Sequence, residues 1–209
     1  MKFKNINSML FLVAALTAGH AAAQSTHFSG WSAALGGSVV DGNLKINELN
    51  QGQAGNLGRT KIVATFDVGY SLPLNDQWAL GMGATYDLSE SRILDVVLLN
   101  GKVKNHSSLY LQPTLLLTPN TAAFAKVGYH SAVLVGEGGL FSQNGGFSES
   151  IHGTGLGLGL KSYINNDVFV QFEVLSTKFK SKAVSLGDAL TPAKASMTSM
   201  NVSLGYQFN

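Results

Sequence analysis

The chain has no cysteine, so no disulfide contributes to its stability. It has only four prolines, and its 12% charged residues are divided almost evenly between the two signs. That balance excludes the strongly basic surface expected of a nucleic-acid binder. Although 45% of the residues are hydrophobic, no apolar run reaches the ~18 residues that a transmembrane helix requires. A chain this apolar, without helical spans, must bury its apolar residues in a core or present them to lipid. Strands that face lipid must close into a barrel, because an open sheet edge in hydrocarbon leaves backbone groups without partners.

What the chain does contain begins with an export signature. Lys2 and Lys4 precede an apolar stretch from Met9 to Ala18, and Ala21-Ala22-Ala23 offers a small-residue cleavage site before Gln24. We therefore expect residues 1–23 to be a signal peptide and residues 24–209 the mature domain. The signal holds two of the 14 Lys+Arg and none of the 12 Asp+Glu, so the mature chain is formally neutral.

The main structural signal is alternation with a period of two. Ile62, Ala64, Phe66, Val68, Tyr70 and Leu72 share one face of a strand, opposite Lys61, Thr65, Asp67, Gly69 and Ser71, with Val63 the only large apolar residue on that second face. After the turn Pro73-Leu74-Asn75-Asp76-Gln77 the pattern resumes, with Trp78, Leu80, Met82, Ala84, Tyr86 and Leu88 opposite Gly81, Gly83, Thr85 and Asp87. Six further strands read the same way, near 28–40, 109–117, 123–130, 155–161, 168–174 and 199–208. Three connections, near 73–77, 118–121 and 163–167, are tight. Four others, near 41–60, 89–106, 136–152 and 180–196, are long. Short turns on one side and long loops on the other predict an all-β fold, an eight-stranded antiparallel up-and-down transmembrane β-barrel. Within the second long connection, Asn100-Gly101 is the preferred pair for a two-residue hairpin turn, which would set Leu98 opposite Val103 with both facing lipid. Pro113 falls inside a strand and predicts a bulge there.

These features together resemble the small outer-membrane barrel family that includes OmpX/Ail-type and opacity-type proteins and the barrel half of OmpA. The last strand, Val202-Ser203-Leu204-Gly205-Tyr206-Gln207-Phe208, carries the resemblance. So does the hairpin from Leu111-Gln112-Pro113 through Thr118-Pro119-Asn120-Thr121 to Lys126-Val127-Gly128-Tyr129, which is similar to one in opacity-like members. The resemblance implies outer-membrane localisation and contact with outer-membrane lipid and lipopolysaccharide. It also implies that Phe208 is read by the barrel-assembly machinery, although here Asn209 follows it. The peptidoglycan-binding domain of full OmpA proteins is not expected.

The inward parity collects Asp67, Asp87, Lys126, Lys161 and Glu173, with Gln112, Gln171 and Asn201. An eight-stranded barrel is just wide enough for its own side chains, so these residues are expected to form a plugging polar network in which Lys126, Lys161 and Glu173 share one ion-paired cluster. A narrow small-solute channel is the alternative. Gly155-Gly157-Gly159 reflects crowding, since no helix follows to make a phosphate site. Catalysis is not expected, and a lipid A-modifying barrel enzyme is the least favoured alternative. His130-Ser131 and His106-Ser107, with Glu137 or Glu149 as orienting acids, are the candidate pairs, but strand neighbours point to opposite faces. No cofactor or metal is expected. Lys178, Lys180 and Lys182 share lipid-facing parity just beyond the apolar band and are placed to contact lipopolysaccharide phosphates. The long loops could bind an extracellular partner, and a monomer is expected.

Overall fold

The structure is a computed structural model that describes residues 28–46, 59–96, 99–137, 146–186 and 189–208. The expected signal peptide, residues 1–23, lies outside the described residues. The strands are β1 (Gly30–Ile46), β2 (Arg59–Pro73), β3 (Trp78–Asp87), β4 (Ser91–Val96), β5 (Leu99–Thr118), β6 (Thr121–Glu137), β7 (Gly146–Tyr163), β8 (Val168–Phe179), β9 (Lys182–Leu186) and β10 (Ala189–Phe208). All pairings are antiparallel. Eight staves run β1-β2-β3-β5-β6-β7-β8-β10, and β1 pairs with β10 to close the barrel. The short β4 and β9 add to β5 and β10 beyond the ends of β3 and β8. The expected fold class is the observed one.

Two of the three tight turns are built by asparagine, and in the third the Asn120 amide donates to Thr118 Oγ1. In both 73–77 and 163–167 an Asn side chain caps the returning strand. Asn75 Oδ1 accepts from the amides of Gln77 and Trp78, each at 2.9 Å, and Asn165 Oδ1 accepts from those of Asp167 and Val168 at 3.0 and 2.8 Å. At the other end the strands run well past the expected limits, so most of the four long connections are themselves β-structure.

Two local expectations are corrected. β4 and β5 do pair, but Asn100 and Gly101 lie inside β5 opposite Asp95 and Leu94 and not at a turn. The pairing keeps each strand against its barrel neighbours, which outweighs the local turn preference of Asn-Gly. Leu98 is outside the described residues, and Val103 is buried rather than lipid-facing. Asn105, at φ 50°, explains that reversal. The pairing of β5 with β6 shifts between Lys104 and Ser107, and the shift flips the side-chain parity above it. Asn tolerates this left-handed conformation better than most residues. At Pro113 there is no register shift. The rungs toward β6 stop after Leu111↔Val127 and resume at Thr114↔Phe124 in the same register, while Pro113 stays opposite Leu80 of β3. A missing N–H on one side is enough to account for this, without an inserted residue.

The faces invert along the barrel. Over its lower part the outside is apolar, with Leu35, Phe66, Leu158, Phe172 and Leu204 all exposed, as a surface solvated by hydrocarbon must be. Ile62, Val39, Met200 and Val174 form one continuous row through their pairings across β2, β1, β10 and β8. The next outward row, Asp41, Thr198 and Ser176, is polar and exposed. At that same height the interior changes the other way. Below it lie Ser38, Glu173 and Ser203; above it lie Val40, Val63, Val103, Leu134, Ile151, Phe179 and Met197, each at 5% exposure or less. The barrel is polar inside and apolar outside where lipid surrounds it, and the reverse where water does.

Candidate functional site

The interior is stacked in tiers. At the tight-turn end Phe28, Tyr163 and Phe169 pack on one another, with ring centroids 4.9 and 5.6 Å apart, over Ala79, Leu116 and Ala122. Gln207 ties this floor to the wall. It accepts from the Tyr163 hydroxyl at 2.8 Å and donates to the carbonyls of Ser29 and Trp31.

Above the floor sits the charged tier. Lys126 Nζ lies 2.6 Å from Glu173 Oε2 and 3.4 Å from Asp67 Oδ2, and the Tyr110 hydroxyl donates to Asp67 Oδ1 at 2.7 Å. The ammonium also stands 4.1 Å from the centroid of the Tyr110 ring. Strands β2, β5, β6 and β8 thus each supply one member, and a lysine that would be costly alone is satisfied on several sides. Nearby, Asn201 of β10 donates to Ser38 Oγ on the neighbouring β1 and to Thr65 Oγ1 on β2, both at 2.7 Å. Two small cavities flank this tier. One of about 50 Å³ above it is lined by Thr65, Asp87, His106 and Asn201 among others; one of about 20 Å³ below it is lined by Ser32, Gln112 and Lys161 among others.

Of the five expected lumen residues, the structure brings Asp67, Lys126 and Glu173 together. Lys161 does not join them. Its ammonium sits over the Phe169 ring, 4.1 Å from the centroid, a cation–π contact in place of the expected ion pair. It projects from β7 nearer the tight turn than Lys126 does from β6, since Lys161 lies opposite Ala122. Asp87 is inward but belongs to a different group, with its Oδ2 2.9 Å from His106 Nδ1.

The two histidines considered as catalytic bases meet each other instead. His106 Nε2 is 2.9 Å from His130 Nδ1, both rings are buried, and they stack at 5.2 Å. Ser107 and Ser131 are paired neighbours on the outer face of the wall, turned away from the rings. Gly155 makes room for His130: a Cβ there would run into the imidazole. Gly83 makes room for Tyr110 in the same way, with a Cβ meeting the hydroxyl at 2.5 Å. Crowding, and not anion binding, accounts for these glycines. Nothing in the sequence spacing marks Tyr110 as an Asp67 partner.

On the outer face, Lys178, Lys180 and Lys182 are all exposed, as is Lys194 on β10. Lys182 pairs with Glu149 at 3.3 Å. Beside them Tyr129 and His152 stack at 5.8 Å with an interplanar angle of 16°.

A closed antiparallel barrel with an apolar girdle below and a water-facing extension above defines an outer-membrane β-barrel protein. Residues 9–208 match the family model described as Outer membrane protein beta-barrel domain, and the chain belongs to that family and to the outer membrane. It is similar in fold to Ail, the attachment invasion locus protein of Yersinia pestis, solved in complex with the heparin analogue sucrose octasulfate. The identity is 14%, the TM-score 0.53, and the match covers 86% of this chain and 99% of that one. It is also similar to Neisserial surface protein A, at 8% identity and a TM-score of 0.54, with 86% and 98% covered. No curated protein sequence matches the chain.

Proposed function

We propose that this protein is an envelope barrel with a structural or surface-interaction role, a closed lumen and no catalytic activity, exported by residues 1–23 and working as a monomer. The observation that carries the reading is the interior itself. A lysine held by two carboxylates lies beneath an apolar layer that includes Val63, at 0% exposure, and Phe179, at 1%. Water and ions have no continuous polar path through such a layer. Recording from the purified protein in planar bilayers tests it. The expected result is no sustained single-channel steps at neutral pH. Steady steps of uniform size would establish the narrow channel, for which the two small cavities on either side of Lys126 are the supporting feature.

The partner side of the reading rests on the outer rim. The apolar face of β8 ends at Val174, and Lys178 is four residues beyond it, roughly 10 Å along the membrane normal for a tilted strand. This separation supports a contact with lipopolysaccharide phosphates at the rim. Lys178, Lys180 and Lys182 supply point charges there, while Tyr129 and His152 add a flat face for a sugar ring. The heparin analogue in the Ail complex is a ligand of the same polyanionic kind. The long connections at this end offer a place for an extracellular partner.

A further inference from the structure

The Asp87–His106–His130 chain has no role in the closed-lumen reading, yet three strands spend buried positions on it. Its hydrogen bonds have a fixed direction. The Asp87 carboxylate only accepts, so His106 donates from Nδ1 and presents a lone pair at Nε2. That lone pair takes the Nδ1–H of His130. One added proton is tolerated, because it goes to His130 Nε2 and leaves both bonds intact. A second has no place. It puts an N–H on each side of a 2.9 Å contact and two positive charges in stacked, buried rings.

The location matters as much as the chemistry. His106 meets Phe179 edge-on, with ring centroids 6.3 Å apart. Ala132 and Leu134 follow His130 on the inner face of β6, and Val103 precedes His106 across the Asn105 bulge. The pair therefore sits directly under the apolar tier and joins β5 to β6 through side chains. The groups facing it are Asp87 from β3, Asp67 from β2, Lys126 from β6, Tyr110 from β5 and Glu173 from β8. β7 offers only Gly153 and Gly155, and β10 only Met197 and uncharged polar residues. Lys126, Glu173 and Asp67 are bonded among themselves, with the Tyr110 hydroxyl on Asp67, which leaves Asp87 as the one carboxylate hydrogen-bonded to the pair and no acceptor for the N–H that a second proton puts between the rings.

We infer that the Asp87–His106–His130 chain is an acid-operated latch, holding the water-facing tier of the barrel closed at neutral pH and releasing it when both imidazoles are protonated. The inference rests on the closed-lumen reading and adds the condition that opens it. A released tier hydrates the cavity above Lys126 and separates the tops of β5 and β6. Histidine is the side chain whose charge changes in the range where such a device would work.

The test is amide hydrogen exchange of the barrel in phospholipid nanodiscs, corrected for intrinsic rates, at about pH 7.5 and about pH 5. In the wild type, exchange at Val103, Leu134, Ile151 and Phe179 is expected to rise by at least about tenfold at the lower pH, the equivalent of one pKa unit. Exchange at Phe66 and Leu158 is expected to stay constant. In the double variant His106→Gln/His130→Asn, which keeps hydrogen-bonding groups but cannot take up protons, the pH dependence is expected to vanish. Its persistence in that variant would overturn the latch, as would wild-type exchange that stays flat while both imidazoles titrate by NMR. If the variant does not fold, the wild-type comparison still decides. Opening in step with imidazole protonation supports the latch, and opening while the rings remain neutral removes it. Conductance at neutral pH fails or succeeds separately and reports only on the closed lumen.

Discussion

The lower and upper halves of this barrel share the same staves and meet opposite solvents. Around Leu158 and Phe172 the wall is inverted, with leucines outside and the Lys126–Glu173 pair inside. Around Ile151 and Phe179 it is built like a water-soluble protein, with Ser148, Ser150, His152 and Lys178 outside. The strands cross from one regime to the other without a break in the ladder between β1 and β10. Backbone pairing is indifferent to the solvent, and only the side-chain pattern responds to it. A β-wall can therefore carry two hydrophobic schemes end to end, provided every stave switches at one height.

The strongest way to break this contrast is inside the lower half. Lys126→Ala leaves Glu173 and Asp67 facing each other without their cation, and is expected to destabilise the barrel by about 3–5 kcal/mol in denaturant unfolding from lipid. Double replacement of Lys126 and Glu173 by apolar residues is expected to recover most of that loss. Next comes the upper half. Leu134→Ala opens a void in the apolar tier and is expected to cost about 2–5 kcal/mol, seen as lost amide protection at Val103 and Ile151 with the lower staves unchanged. If the tier were wet, the cost would fall below about 1 kcal/mol.

Smaller effects sharpen the boundary itself. Leu158→Arg, on the lipid side, is expected to cost about 2–4 kcal/mol if it lies near the bilayer midplane, whereas Ser150→Arg, on the outer face of the upper part, is expected to change stability by less than about 0.5 kcal/mol. Equal costs at the two sites would place the water boundary wrongly. Lys178→Ala/Lys180→Ala is expected to leave stability unchanged and to lower lipopolysaccharide retention in native mass spectrometry; unchanged retention would discard the rim as a phosphate contact. The smallest effect concerns Glu90, between β3 and β4. The hydrogen bond from Lys104, at 2.9 Å, holds its carboxyl below the ordinary 4.5, with Lys102 and Lys61 adding to this. A depressed carboxylate contributes stability above its unfolded value and loses it as pH falls through its folded one, so this tie should weaken only below about pH 4.5. A Glu90 side-chain NMR titration with its midpoint at or above 4.5 would contradict it.

Much of this was legible in the residues. The alternation of Ile62 to Leu72 and Trp78 to Leu88 gave the strands, their faces and the lipid side, because a period of two has only one structural meaning when small and charged residues share a face. Parity marked Asp67, Lys126 and Glu173 as inward, but the cluster read from it was Lys126, Lys161 and Glu173, and in the structure Asp67 takes the place given to Lys161. The extension of the strands was not, because above the boundary the alternation reverses sign. Val63 looked like an exception on a polar face and is in fact the first residue of the apolar tier. The Asn105 bulge flips the parity of β5 on its Val103 side with no warning beyond an asparagine. Pairing His106 with His130 depended on registering β5 against β6, which no local motif encodes.

Alternation, turn chemistry and composition alone determined that this chain closes into an antiparallel barrel and which face meets hydrocarbon, since both follow from local geometry and from the cost of exposing backbone to lipid. Which charges touch, which histidines share a proton and where the wall turns from inverted to ordinary were decided only by the tertiary structure. Those depend on how far each stave is slid past its neighbour, a quantity summed around the closed ring and not contained in any single strand.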